Sequence, residues 1–435
     1  LAKNLANLEL LRPFNFWQPG ERAARGISRS YYLSSLQSFT KTDALIVVSG
    51  QRRSGKSYIL RQYIDILTAQ GVPPEDILYL NFFLDDLSPL KSGKEFKRVL
   101  AAWETEVASH GQKRRYLIID EVTELEGWQQ LVASLLEHPK KSYKVVIAGS
   151  NSQVLSDDLP NELRGRYYLL HVFPFGFDEF CTARGLSPDQ PTAFAEYLEV
   201  GGMPEAVLAP DIHARANLLT QIRHSTVKKD VIDRYQADTD LVDRIVNYSR
   251  QTYGTQLSIK RVTEQLKGAG ARTTEATVRD HLQWLQNVYW IDRAAVYSAR
   301  TSDLLRKAEH KYYLGDHGFA YDARNNLGRL LENVIYNELR RAQFEVQTYH
   351  GYHQGKSFEI DFMATRGQRV LFVQVAWNIG DPMLDNTAYL REFGNFSKLG
   401  RHEGEKLVVT VDTRRYDAAG ILHLQPHDFI RHLHL

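Results

Sequence analysis

Two short stretches carry residue types that could handle phosphate. The first is Gly50-Gln51-Arg52-Arg53-Ser54-Gly55-Lys56-Ser57, a Gly-x-x-x-x-Gly-Lys-Ser pattern. Its glycines let successive backbone N–H groups turn inward around a polyphosphate. Lys56 would reach the β- and γ-phosphates, and the Ser57 hydroxyl would ligate Mg²⁺. Gly50, Arg53, Ser54, Gly55, Lys56, Ser57 and Tyr58 form the expected nucleotide-binding set. The second stretch is Asp120-Glu121, closing the apolar run Tyr116-Leu117-Ile118-Ile119. An Asp at a strand tip can hold Mg²⁺ through water, and the Glu beside it can polarise an attacking water. Turns also favour Asp, so the pair takes its meaning from the phosphate loop upstream. Asn151, in Ser150-Asn151-Ser152, is placed to sense the γ-phosphate or to orient water. Arg166, in Leu163-Arg164-Gly165-Arg166-Tyr167, is of the kind that reaches a neighbouring subunit's γ-phosphate, a role Arg164 could also fill.

These residues need a scaffold of alternating strands and helices. Ala44-Leu45-Ile46-Val47-Val48-Ser49 reads as a buried strand delivering the glycine loop, and Tyr58 to Ala69 as the helix that follows. Further buried strands are expected over 77–82, 114–122 and 144–149, with a helix over 92–108. The Ser28 to Leu36 segment has helical spacing of its large residues and is expected to pack beside the nucleotide site. This order predicts an α/β core with ligands at the carboxyl ends of its strands.

The bulk composition narrows the class. At 435 residues the chain has room for about three domains. A formal charge of +2 does not by itself argue for a polyanionic partner. The single cysteine, Cys181, excludes an internal disulfide framework, fits a reducing cytoplasm and reads as a buried structural thiol. No apolar run approaches the roughly 20 residues of a membrane helix. The first residues lack the apolar block of a signal peptide. A cytoplasmic protein with no membrane partner is expected.

Six motifs in order then mark a family. They are the glycine loop with its two arginines, Ile-Ile-Asp-Glu at 118–121, Ala-Gly-Ser-Asn-Ser at 148–152, Gly-Arg-Tyr at 165–167, Val172-Phe173-Pro174-Phe175-Gly176-Phe177-Asp178-Glu179-Phe180, and Gly201-Gly202-Met203-Pro204. From about residue 40 onward the chain resembles the prokaryotic AAA-type P-loop ATPases that carry a C-terminal domain similar to restriction endonucleases. The resemblance implies an ATPase domain over 1–209 using ATP and Mg²⁺, a helical or winged-helix domain over 210–305, and a nuclease-like α/β domain over 306–435. It also implies a homo-oligomer.

In the middle region, 257–267 and 274–285 read as two amphipathic helices joined through Gly270. Strand-like runs follow at 288–291 and 294–297. That order fits a winged helix-turn-helix, whose second helix would expose Arg272, Thr273, Thr274, Thr277, Arg279 and His281 to double-stranded DNA. The same module also serves as a protein contact. In the last third, a helix carrying Glu332 precedes strands carrying Glu359 and Asp361, which resembles the restriction-endonuclease core. Where that core has Glu-x-Lys, this chain has Gln374-Val375-Ala376. A neutral amide is a poor Mg²⁺ ligand and Ala376 brings no cation, so a catalytically dead nuclease fold is expected unless Arg366 or Arg369 fills the gap. The resulting expectation is an ATPase whose cycle drives assembly or grip on DNA or a partner. The alternatives are an ATP-regulated Mg²⁺-dependent DNA nuclease and a non-hydrolysing, nucleotide-gated scaffold.

Overall fold

A computed structural model describes residues 8–15, 17, 24–109, 114–138, 143–152, 165–298, 310–322, 326–379, 387–399, 404–412 and 420–434. The chain divides into two compact units, Leu1–Val172 and Phe173–Leu435.

The first unit is a parallel sheet covered on both faces. Helix α1 (Ser30–Thr40) precedes β1 (Leu45–Ser49), which leads into α2 (Lys56–Ala69). Then come β2 (Ile77–Asn81), α3 (Gly93–Glu106), β3 (Arg115–Asp120), α4 (Trp128–Leu136), β4 (Tyr143–Gly149) and β5 (Tyr167–His171). The sheet order is β2-β3-β4-β1-β5, so the strand feeding the glycine loop is interior. Alternate residues serve opposite faces. Leu45, Val47, Leu117, Ile119, Val145 and Ile147 pack with Trp103, Trp128 and Leu131 of α3 and α4. Ile46, Val48, Ile118, Val146 and Ala148 pack with Tyr32, Leu36, Ile59 and Tyr63 of α1 and α2. Strands β1 to β4 are buried on both faces, which is why they read as largely apolar runs. Each fully buried Ile, Val or Leu contributes about 1.5–3 kcal/mol.

The second unit opens with helices α5 (Phe177–Arg184), α6 (Pro191–Val200), α7 (Pro204–Val207) and α8 (Ile212–Val227). A short π-helical turn, Lys228–Asp233, then leads to α9 (Thr239–Thr252). After these come β6 (Gln256–Leu257), α10 (Ile259–Gly268), α11 (Glu275–Asn287), β7 (Ile291–Ser298) and β8 (His310–Leu314). The unit finishes with α12 (Leu327–Arg341), β9 (Glu345–His353), β10 (Lys356–Arg366), β11 (Arg369–Val375), α13 (Thr387–Ser397), β12 (Glu405–Val409), β13 (Ile421–Leu424) and α14 (Pro426–His432). One eight-stranded sheet runs β13-β12-β11-β10-β9-β7-β8-β6.

Two expectations for the middle region are corrected. The separate strand-like runs at 288–291 and 294–297 are replaced by the single strand β7 (Ile291–Ser298), because Val288 caps the end of α11 and Tyr289, at φ 59°, lies in the turn that follows it. Thr273 and His281 do not lie on an exposed face. Both are buried, and His281 Nδ1 lies 2.7 Å from the Thr277 carbonyl oxygen one helical turn back. Arg272, Thr274 and Arg279 are exposed and Thr277 is half-buried.

Candidate functional site

The parallel strands of the first unit bring their carboxyl ends to one edge. Ser49 pairs with Gly149, Asn81 with Asp120, and Ile119 with Ile147. The glycine loop, Asp120, Glu121 and Asn151 therefore share that edge. The loop leaves β1 so close to the next segment that a Cβ on Gly50 would stand 2.2 Å from the Val172 carbonyl oxygen. Gly55 sits at φ 100°, a left-handed conformation open to glycine, and turns the chain into α2. No side chain caps α2, so its first N–H groups and its dipole face the loop.

Within the loop, Lys56 is buried and donates from Nζ to the carbonyls of Gly50 at 2.9 Å and Gln51 at 3.0 Å. Ser54 Oγ and the Gln51 side-chain nitrogen are buried and have no hydrogen-bond partner among the described residues. Buried donors left unmet are costly, and phosphate oxygens would satisfy both. The residues present therefore fit a bound polyphosphate. Ser57 is half-buried at the helix start, and Arg53 is exposed with φ 64°. Tyr58 points outward at 42% exposure, with the Arg61 guanidinium 4.7 Å from its ring centre.

Asp120 is fully buried. Its Oδ2 accepts from the Tyr79 hydroxyl at 3.1 Å and its Oδ1 from the Glu121 N–H at 3.1 Å. Burial, and after it the Asp120 charge, holds the Tyr79 phenol well above its ordinary pKa, so Tyr79 stays a donor. Glu121, half-buried, occupies the left-handed region at φ 51°. Asn151 is buried just beyond β4.

Arg166 is not brought to this edge. It precedes β5, and its carbonyl accepts from Leu45 N–H at the amino end of β1, across the sheet from the glycine loop. Its guanidinium donates to Glu137 at 2.6 Å in an exposed pair. Arg164 lies outside the described residues.

Arg29 is a functional candidate that sequence reasoning missed. It is 2% exposed, donates to the Ser54 carbonyl at 2.9 Å, and lies 4.4 Å from the Tyr32 ring centre. A buried cation therefore braces the glycine loop from the segment before α1. No local spacing marks it; only the fold brings residue 29 to residue 54.

A second cluster lies in the other unit. Lys311 of β8 places Nζ 2.7 Å from Glu359, 3.2 Å from Glu332 and 3.6 Å from Asp361. Glu332 also accepts from the Tyr313 hydroxyl at 2.7 Å, Tyr313 being two residues along the strand on the same face. A register shift in β10 between Ile360 and Met363 falls at Asp361, the kind of bulge that re-aims a side chain. Asp361 Oδ2 accepts from the Gln374 side-chain nitrogen at 2.8 Å and from the Val375 N–H at 2.9 Å. The three acidic residues read from sequence thus converge, around a lysine that sequence reasoning did not place there. Neither Arg366 nor Arg369 fills the position of Ala376. Arg366 donates to the Ala342 carbonyl and stacks on Phe344, while Arg369 pairs with Glu405.

Residues 42–181 match the family model described as an AAA domain, and residues 191–329 match one described as a domain of unknown function. The first unit is thus the P-loop fold of an AAA-type ATPase. The chain belongs to one family with an uncharacterised protein of Haemophilus influenzae, which is 32% identical over 383 residues, covering 86% of this chain and 92% of that one. An uncharacterised protein of Methanocaldococcus jannaschii is 24% identical, covering 77% and 75%. Among solved structures, the Walker-type ATPase of Pyrococcus abyssi is similar at 15% identity and a TM-score of 0.45, covering 71% of this chain and 98% of that one. Among the described residues no helix is long and apolar enough to cross a membrane.

Proposed function

We propose that this protein binds and hydrolyses ATP with Mg²⁺, and that the cycle drives its assembly or its grip on DNA or a partner. The observation that carries the reading is the gathering, at one sheet edge, of the glycine loop with its unmet buried donors and the acidic pair Asp120-Glu121. Lys56 and the N–H groups of the loop and helix start bind the phosphates, with Gly50, Arg53, Ser54, Gly55 and Tyr58 around them. Ser57 and Asp120 hold Mg²⁺, which when bound neutralises charge on the phosphates. Glu121 takes a proton from the attacking water, and Asn151 orients it. Arg166 acts only in a neighbour's site; its exposed pair with Glu137 is worth little and is readily released.

The segment α9-β6-α10-α11-β7 has the element order of a winged helix up to its wing, with exposed Arg272 and Arg279 as the side chains able to meet DNA phosphates. We assign 1–209 to the ATPase domain, 210–305 to the winged-helix domain and 306–435 to a restriction-endonuclease-like domain that does not cut. Gln374 and Ala376 argue against the ATP-regulated nuclease, and Glu121 argues against the non-hydrolysing scaffold.

The test is calorimetric binding of a non-hydrolysable ATP analogue to the intact protein. Binding that depends on Mg²⁺ and is lost in Lys56→Ala supports the reading. Equal binding by Lys56→Ala would place the nucleotide elsewhere.

A further inference from the structure

The carboxylate cluster of the second unit has an unusual centre. In an acidic site that works with a divalent ion, the ion sits between the carboxylates and neutralises them. Here a protein ammonium occupies that place, within hydrogen-bond distance of Glu359 and Glu332 and 3.6 Å from Asp361. Burial alone would pull the Lys311 amine down; Glu332, Asp361 and Glu359 outweigh it and hold it above its ordinary value. Glu359 shows the reverse balance. Burial works against its charge, yet His350, 2.9 Å from its other oxygen, and Lys311 hold it at about 2.

The geometry also departs from that of a metal centre. Nitrogen-to-oxygen separations of 2.7–3.6 Å are wider than the roughly 2.0–2.6 Å of Mg²⁺ or Ca²⁺ to oxygen. Among the described residues no group of three His, Cys, Asp or Glu is arranged to hold a metal ion. The ammonium props the carboxylates apart. One feature nevertheless suits a metal. Gln374 is 8% exposed, and its nitrogen donates to Asp361 while its oxygen has no partner among the described residues. Lys311 does not serve that oxygen, whereas Ca²⁺ or Mn²⁺ takes oxygen ligands that include an amide carbonyl. Glu359, 35% exposed at its side chain, leaves the cluster open to an entering ion.

We propose that Lys311 is the resident cation of this cluster, holding the place of a divalent ion between Glu332, Glu359 and Asp361, and that removing its charge converts the cluster into a divalent-cation site. The inference stands on side-chain geometry and does not rest on the nucleotide reading.

The test uses the intact protein without nucleotide, with Mn²⁺ as the probe. Binding is followed by loss of the free-ion resonance signal, and stability by calorimetry. Wild type should bind no Mn²⁺ at the cluster and should melt at the same temperature in EDTA and in millimolar Mn²⁺. Lys311→Met should bind one Mn²⁺ per chain, melt about 5 °C higher with saturating Mn²⁺ than without, and lose both effects on adding Glu332→Gln. If Lys311→Met folds only when refolded in Mn²⁺, and not in K⁺, the proposal is supported in the same way. Stoichiometric Mn²⁺ binding by wild type that Glu332→Gln abolishes would overturn it. So would a Lys311→Met protein that ignores Mn²⁺, whether folded or not.

Discussion

Glu121 stands in left-handed backbone, a conformation that costs a non-glycine residue about 1 kcal/mol or more and persists only where surroundings enforce it. Its N–H is held by Asp120, so the acid at the strand tip is aimed by the residue before it. Glu121→Gln keeps the shape and removes the base. Analogue binding should stay near wild type while turnover falls by about 10² to 10⁴-fold. Unchanged turnover would mean that another group prepares the water. At this scale the placement of Lys56, Ser57, Asp120 and Glu121 at one sheet edge follows from their fixed spacing within short runs at strand ends. Lys311 was not legible in the sequence, because its meaning depends on Glu332, 21 residues away, and on a bulge that no local pattern announces. Cys181 read correctly as a buried thiol, and burial pushes it up to about 11.

At the scale of elements, apolar runs exposed the parallel strands, while polar anchors stayed hidden among them. Lys144 lies in β4, a run that reads as buried, and is itself fully buried. Its Nζ donates to the carbonyls of Phe39, Thr42 and Ala44 at 2.9, 2.9 and 2.6 Å, tying the end of α1 to the sheet. Lys144→Met should therefore destabilise the first unit by about 2 kcal/mol, read from the denaturant midpoint without nucleotide. An unchanged midpoint would show that other donors already meet those carbonyls. The helix pair α10 and α11 was legible from amphipathic spacing and the Gly270 link. The burial of Thr273 and His281 was not. Polar residues read as exposed, but Thr273 falls at the turn into α11 and His281 finds a carbonyl on its own helix.

At the scale of the whole molecule, composition excluded a disulfide scaffold, and the ordered motifs pointed to the AAA domain that residues 42–181 match. Neither locates Arg166, which the fold sets at the opposite end of the sheet from its own phosphate loop. If Arg166 serves a neighbouring chain, subunits carrying Arg166→Ala mixed with subunits carrying Lys56→Ala should recover ATP turnover that neither shows alone. A fully active monomer at micromolar concentration would remove that role and leave the Glu137 pair as the function of Arg166.

The glycine loop and the acidic strand tip are proposed to form one hydrolytic site. The most direct test is steady-state ATP turnover by the intact protein, with and without Mg²⁺, beside Lys56→Ala. Turnover that requires Mg²⁺ and disappears in Lys56→Ala is the predicted result. No turnover by wild type with Mg²⁺ present, or turnover that survives in Lys56→Ala, would contradict it.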